Sequence, residues 1–192
     1  MIVKRIPAAE GGVPLHPAYM AGVLVHDSLM PVEGVGRVTL AGSVRRHRPT
    51  VNDLDLVVLT DDSFGVDQEI QKALRKFQTS PTPAGKKALN GRRYKRFWGD
   101  YRVAADLEVQ TLQTDVFITD QESQWATLLL VKTGSEAHNI KLATRAQAKG
   151  WMLKANGDGL IDGRGARLAW RSEEEILRML DCDHFDPTTR EG

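Results

Sequence analysis

Cysteine is almost missing from this chain. Cys182 is the only one in 192 residues, so no disulfide can close within it. Cys182 and His184 are together too few donors for a zinc site. Long apolar runs are missing too. The N-terminus lacks the apolar core of a secretion signal, and no segment reaches membrane-spanning length. A soluble protein of a reducing, intracellular compartment is therefore expected. Nor is there an excess of one charge. Lys and Arg number 26 against 25 Asp and Glu, so net charge alone announces no polyanionic partner. No internal repeat is found. The length suits one domain, or a compact pair of subdomains, with a core of useful size.

The charge that is present is unevenly placed. Between Gly85 and Arg96 stand six basic residues (Lys86, Lys87, Arg92, Arg93, Lys95 and Arg96) and no acid, whereas the chain from Glu173 onward is net acidic. Such asymmetry can orient a protein on a polyanion, and a solvated loop is the plainer reading of the same run.

The most informative residues lie upstream. Gly42-Ser43-Val44-Arg45-Arg46 is followed closely by Asn52-Asp53-Leu54-Asp55-Leu56. Strand residues two apart share a face, so Asp53 and Asp55 point the same way, while Leu54 and Leu56 through Leu59 anchor the strand. Two like charges side by side destabilise a sheet unless something positive lies between them. Hard divalent cations held by carboxylate oxygens are the usual remedy. With a glycine, a hydroxyl and guanidiniums alongside, the pattern points to phosphoryl or nucleotidyl transfer.

Gly42-Ser43 through Asp55 resembles the signature of the polymerase-beta nucleotidyltransferase superfamily, and the longer string resembles family X DNA polymerases. Further blocks follow in the family's order. Lys4-Arg5-Ile6-Pro7 resembles the start of its palm. Gln113-Thr114-Asp115-Val116-Phe117-Ile118 resembles the strand bearing its third carboxylate. Thr133 through Asn139 resembles its nucleotide-binding turn, with Ala146 and Gly150 at the family's spacing, and Glu173 through Glu191 resembles its closing helix and end. The resemblance covers nearly the whole chain. It implies an α+β fold: a nucleotidyltransferase palm over 1–120, a mixed sheet with helices on one side, then a small α+β thumb-like part over 121–192.

The resemblance also implies a chemistry. Asp53, Asp55 and Asp115 would be the catalytic carboxylates and would bind two Mg2+ ions, with Mn2+ able to substitute. Asp106 is the rival for the third place. Arg5, Gly42, Ser43, Arg46, Gly134 and Asn139 would bind the nucleotide. Gly42 and Ser43 would offer N–H groups and a hydroxyl to phosphate, and the guanidiniums of Arg46 and Arg5 a planar fork. Arg45 and Arg48 read at least as well as solvated turn residues, and His138 reads better as a packed or solvent-facing residue than as a catalytic one. Lys86, Lys87, Arg92 and Arg93 would meet DNA. The implied enzyme is a DNA polymerase adding dNMP from dNTP to a primer 3′-end or into a gap, acting as a monomer in the cytoplasm or nucleoid. Its alternatives are a transferase of the same fold acting on RNA, protein or a small molecule, and a silent nucleic-acid-binding module. Three departures stand out. The match begins at the palm, so no lyase domain or lyase activity is expected. Val131-Lys132 stands where many relatives have aromatics beside the sugar. Ala143 stands where some have an arginine.

Element by element, helices are expected from Leu15 (Tyr19, Met20, Val23, Leu24 and Met30 as its apolar positions), over Val66 to Phe77, from Glu122 to Gly134, from Ser135 to Gly150 (Ile140, Leu142 and Ala146 apolar), and from a capping box at Ser172. Strands are expected over Arg37 to Ala41, Asp53 to Thr60 and within Tyr94 to Ile118, turning at Gly99-Asp100. Short strands follow near Trp151 to Leu153 and Gly159 to Asp162.

Overall fold

The strand expected over Asp53–Thr60 forms over those residues and stands next to the edge of the main sheet. The computed structural model describes residues 5–6, 12–61, 65–102, 109–168 and 171–191. Among these the strands are β1 (Arg5–Ile6), β2 (Val13–Pro14), β3 (Val35–Leu40), β4 (Thr50–Val51), β5 (Asp53–Thr60), β6 (Leu89–Asn90), β7 (Tyr94–Arg102), β8 (Val109–Thr119), β9 (Met152–Lys154) and β10 (Gly159–Ile161). The helices are α1 (Leu15–Leu29), α2 (Gly42–Arg45), α3 (Val66–Arg75), α4 (Glu122–Thr133), α5 (Glu136–Ala148) and α6 (Glu173–Met179). The main sheet runs β3-β5-β8-β7-β6, with β1 alongside β8. β5 and β8 are parallel, and β3 and β7 flank them antiparallel. The architecture is the mixed α+β one expected.

Alternation along β5 divides its two faces. Leu54, Leu56 and Val58 are fully buried in a core shared with Val25 and Leu29 of α1 and Ile70 and Leu74 of α3. Burying each such side chain contributes about 1.5–3 kcal/mol. Asp53, Asp55 and Val57 take the other face. Val57 is covered by Leu128 and Leu129 of α4, with Ala41 beside them. That face is therefore dry at one end and polar at the other, and the polar end holds the candidate site. A second core joins Ala126 and Leu130 of α4 to Leu142 of α5, Leu160 of β10 and Ile176 and Leu177 of α6.

Three details differ from expectation. Helix α1 turns its small residues inward: Ala18, Ala21, Gly22, Val25 and Leu29 are buried, while Tyr19, Leu24 and Met30 are exposed. A Cβ on Gly22 would run into Leu40, so this face of the helix lies close on the sheet. Gly99-Asp100 is not a turn but mid-strand, pairing with Leu112 and Thr111. Gly99 is needed there because the Tyr101 hydroxyl and the Phe77 carbonyl would crowd a Cβ. Ile140 faces outward on α5. The expected caps are present, with Ser135 Oγ accepting from the His138 N–H at 3.1 Å and Ser172 Oγ from the Glu175 N–H at 3.2 Å. No helix among the described residues is long and apolar enough to cross a membrane.

Candidate active site

Strand register assembles the carboxylates. Asp55 stands directly opposite Asp115 on the parallel neighbour β8, and Asp115 stands opposite Arg96 on β7. Three charged residues thus form a row across three adjacent strands, with Asp53 two positions along β5. Asp115 is 3% exposed, a costly position for an unpaired carboxylate. Arg96 clasps it, Nε donating to Oδ1 at 2.8 Å and Nη2 to Oδ2 at 3.0 Å. The Tyr94 hydroxyl donates to Oδ1 at 3.0 Å, and Gln113 Nε2 to Oδ2 at 3.1 Å. Four donors fill the four lone-pair positions of a carboxylate. Arg96 and Tyr94 answer in kind, each held above its ordinary range, Arg96 chiefly by the hydrogen bond to Asp115 and Tyr94 chiefly by burial.

Among the described residues, Asp53 and Asp55 have no such company. Burial first, then the Asp53 and Asp115 charges, push Asp55 up to about 8; Lys132 and Arg46 pull the other way. Asp53 is raised by burial and then by Asp115, against Arg96 and Arg46. Two adjacent carboxylates with no side-chain donor among the described residues, in surroundings too buried and too negative for both to ionise freely, make a set of hard oxygen ligands suited to a divalent cation. Asp115 can join that set only by releasing one of its four donors.

The phosphate-type turn is built against this pair. The Ala41 N–H donates to the Asp55 carbonyl at 2.8 Å, tying the turn to β5. Gly42 has φ +57°, and a Cβ there would overlap the Asp55 carboxylate, so the position excludes side chains twice over. Ser43 Oγ is buried without a hydrogen-bond partner among the described residues. Arg46 reaches back over the site: Nη1 donates to the carbonyls of Thr133 and, at 3.2 Å, Gly134, and Nε donates to Glu191 Oε1 at 2.9 Å. Arg45 is no solvated turn residue. It donates to Thr133 Oγ1 at 2.8 Å and binds both oxygens of Glu173, whose Oε1 also accepts from Arg190 at 2.8 Å.

The second turn, between α4 and α5, lies against the first through those Arg46 bonds. Gly134 is crowded by Asn139 Oδ1 and His138 Cδ2, both 2.9 Å from where a Cβ would sit. Asn139 Nδ2 donates to the Val131 carbonyl at 2.8 Å, leaving Oδ1 buried and unpartnered. His138 is packed, as its plainer reading had it, and burial followed by the Arg190 charge pushes it down to about 4. The Lys132 ammonium sits 4.2 Å from the centre of the Phe117 ring. It lines a cavity of about 670 Å³ with Asp55, Asp115, Tyr94 and Arg96.

Of the basic residues, Lys86 lines a separate cleft of about 830 Å³ that also holds Asp53, Arg96 and Trp98. Lys87 is exposed on the same loop. Arg92 and Arg93 are also exposed, and Arg93 lies on the cavity side, 3.9 Å from Asp120. Lys86 and Arg93 therefore stand at two different openings. Lys95 is buried on Asp67 and Asn90. Arg5 pairs through its backbone with Val109, its side chain lying outside the described residues, as does Asp106. Sequence reasoning missed Tyr94 and Arg96 as partners of Asp115. Alternation along β7 puts them on one face, but only the register says which carboxylate they meet.

The DNA polymerase beta thumb family matches residues 128–191. The DNA polymerase/3′-5′ exonuclease PolX of Bacillus subtilis (strain 168) is 26% identical over 168 residues, which is 88% of this chain but 26% of that protein. The chain thus spans about a quarter of the curated relative it matches. A Leishmania infantum polymerase beta in a ternary P/T complex superposes with a TM-score of 0.76 at 18% identity, over 96% of this chain and 78% of that one. At that identity the likeness concerns the fold.

Proposed function

We propose that this family X DNA polymerase-like chain is a nucleotidyltransferase that adds a deoxynucleoside monophosphate from a dNTP to a DNA 3′-hydroxyl, on a primer-template or in a gap. The supporting observation is the meeting of the Asp53–Asp55 pair with a turn that offers a buried, unpartnered Ser43 hydroxyl and the Arg46 guanidinium. Asp53 and Asp55 would hold Mg2+, or Mn2+ in its place. Bound there, the ions neutralise triphosphate charge and lower the pKa of the attacking hydroxyl.

The chain's own residues divide the remaining work. Ser43 and Arg46 bind phosphate oxygens, the first by a hydroxyl otherwise without a partner and the second by a charged planar fork. Asn139 Oδ1, held by the bond of its own amide to Val131, accepts from the nucleotide. Arg96, Tyr94 and Gln113 orient Asp115 toward the place of the 3′-hydroxyl. Lys86 and Lys87 bind the strand that enters beside Asp53. The chain acts as an intracellular monomer, and filling short gaps during repair is the role proposed for it.

Primer extension tests this directly, with each dNTP and NTP on gapped, nicked and single-stranded DNA in Mg2+ or Mn2+. Extension by dNTP that is lost in Asp53→Asn and Asp55→Asn is the expected result. Efficient transfer of nucleotides to an RNA, protein or small-molecule acceptor, with none to DNA, overturns the assignment of acceptor. No transfer to any acceptor overturns the reading.

A further inference from the structure

Arg46 carries an anionic partner that the proposed chemistry does not need. Glu191 Oε1 accepts from Arg46 Nε at 2.9 Å, and its Oε2 lies 3.4 Å from Arg48 Nη1. One carboxylate therefore spans two guanidiniums, as an edge of a phosphate would. The place matters, because Arg46 closes the turn whose Gly42 packs on the Asp55 carboxylate and reaches the carbonyls of the second turn at Thr133 and Gly134.

How Glu191 arrives there is also visible. Its neighbour Arg190 is 1% exposed and anchored on every side, donating to the carbonyls of His184 at 3.0 Å and Phe185 at 2.9 Å and to Glu173 at 2.8 Å. The Arg190 carbonyl accepts from the Ser135 N–H at 3.2 Å, fixing the segment beside the second turn. The next side chain, Glu191, is thereby presented to Arg46 and Arg48. Its own attachment is light. The Glu191 side chain is 37% exposed and Arg48 is 49% exposed, against 13% for Arg46, and the Arg48 contact is long. The Arg45–Glu173–Arg190 network next to it is multiply bonded and anchored on the buried Arg190, and so is structural; the Glu191 contact can be exchanged.

We infer that Arg46 and Arg48 form a site for the terminal phosphate of a nucleoside triphosphate, and that Glu191 fills it until the nucleotide displaces it. Arg48 then becomes a phosphate-binding residue, and Glu191 an intramolecular competitor. A phosphate bearing more than one negative charge outcompetes a single carboxylate for two guanidiniums, whereas a nucleotide lacking that phosphate gains little by displacing it. The inference rests on the proposed role of Arg46 in binding phosphate.

Calorimetric titration of the full chain with dATP and dADP, in Mg2+ and without DNA, separates the possibilities. Glu191→Gln should bind dATP about three- to tenfold more tightly with dADP nearly unchanged, a range set by what a partly exposed ion pair contributes. Arg48→Gln should weaken dATP by a similar factor, and in the double variant the Arg48 loss should persist. Melting temperatures within a degree of the parent would show that neither change acts through the fold. Unchanged or weaker dATP binding in Glu191→Gln overturns the competitor while leaving the nucleotide reading intact. Indifference of Arg48→Gln overturns the second phosphate ligand. If dATP binds the unaltered chain but ignores Arg46→Gln, or binds no variant at all, the underlying reading fails as well.

Discussion

Replacing Asp55 by asparagine should remove activity and at the same time stabilise the protein in the absence of metal. The carboxyl rises from an ordinary 3.8 to about 8 on folding, first through burial and then through Asp53 and Asp115. Between those values the folded chain holds a proton that the unfolded chain has lost. Stability is therefore fully present below about pH 4 and drains away as pH rises toward 8, at up to about 1.4 kcal/mol per pH unit. Across the whole interval the ceiling is about 6 kcal/mol; water entering this partly open site brings the expected fall to about 2–3 kcal/mol. In a chain of this length that is roughly 5–10 °C in melting temperature. The Asp55→Asn side chain keeps the shape and never ionises. The variant's melting temperature in chelator should therefore fall much less between pH 5 and 8, retaining only the contribution from Asp53. Mg2+ should lift the unaltered protein at pH 8, because binding to the folded state adds stability, and should lift the variant far less. The assay is thermal melting of both proteins from pH 5 to 9, with EDTA or Mg2+. An Asp55→Asn protein that melts below its parent at pH 8 in EDTA, or a parent indifferent to pH, would refute the idea that burial and the neighbouring carboxylates disfavour an ionised Asp55. The case for a cation between them would then lose its physical basis.

Three further outcomes are expected. Gly42→Ala should displace the Asp55 carboxylate and impose an unfavourable positive φ, costing about 1–3 kcal/mol in urea unfolding and most of the extension activity; an active, fully stable Gly42→Ala protein would contradict the close packing of the turn on Asp55. Neutralising Lys86, Lys87, Arg92 and Arg93 together should weaken DNA binding across all sequences and flatten its salt dependence, with Lys86 contributing most because it alone of the four shares the cleft with Asp53; a salt slope unchanged from the parent would place the DNA elsewhere. Insertion of ribonucleotides should be measurable, since Val131 and Lys132 present no ring as a wall and steric selection by one small group is worth about 1–3 kcal/mol; steady-state kinetics should show Lys132→Phe lowering it, and discrimination above a thousandfold in the parent would exclude this.

Local patterns carry far in this sequence, and non-local ones do not. The alternation from Asp53 to Thr60, the capping serines at 135 and 172, and the i, i+4 spacing of Val66, Ile70 and Leu74 are short-range signals, and each is legible. Hydrophobicity alone points the large apolar residues of α1 inward. The contact instead requires a thin face, with Gly22 against Leu40. Gly99 suggests a turn for the same local reason, when its use is to make room for Tyr101 and Phe77 arriving from elsewhere. The carboxylates are legible individually. Their saturation or openness is not, because the donors to Asp115 come from register and the carboxylate partner of Arg46 stands 145 residues further along the chain.

If the proposed function holds, the row formed by Asp55, Asp115 and Arg96 ties nucleotide transfer to the correctness of strand pairing. Strand side chains alternate, so a slip of β8 by one residue would put Thr114 or Val116 opposite Asp55 and turn Asp115 into the apolar core beneath α1 and α3. A chain misfolded in this way would carry every motif in its sequence and transfer nothing. On the proposed function, turnover per molecule would therefore serve as an assay of folding fidelity, sensitive to a displacement of about 3.3 Å along one strand that far-UV circular dichroism, which registers secondary-structure content, would pass over.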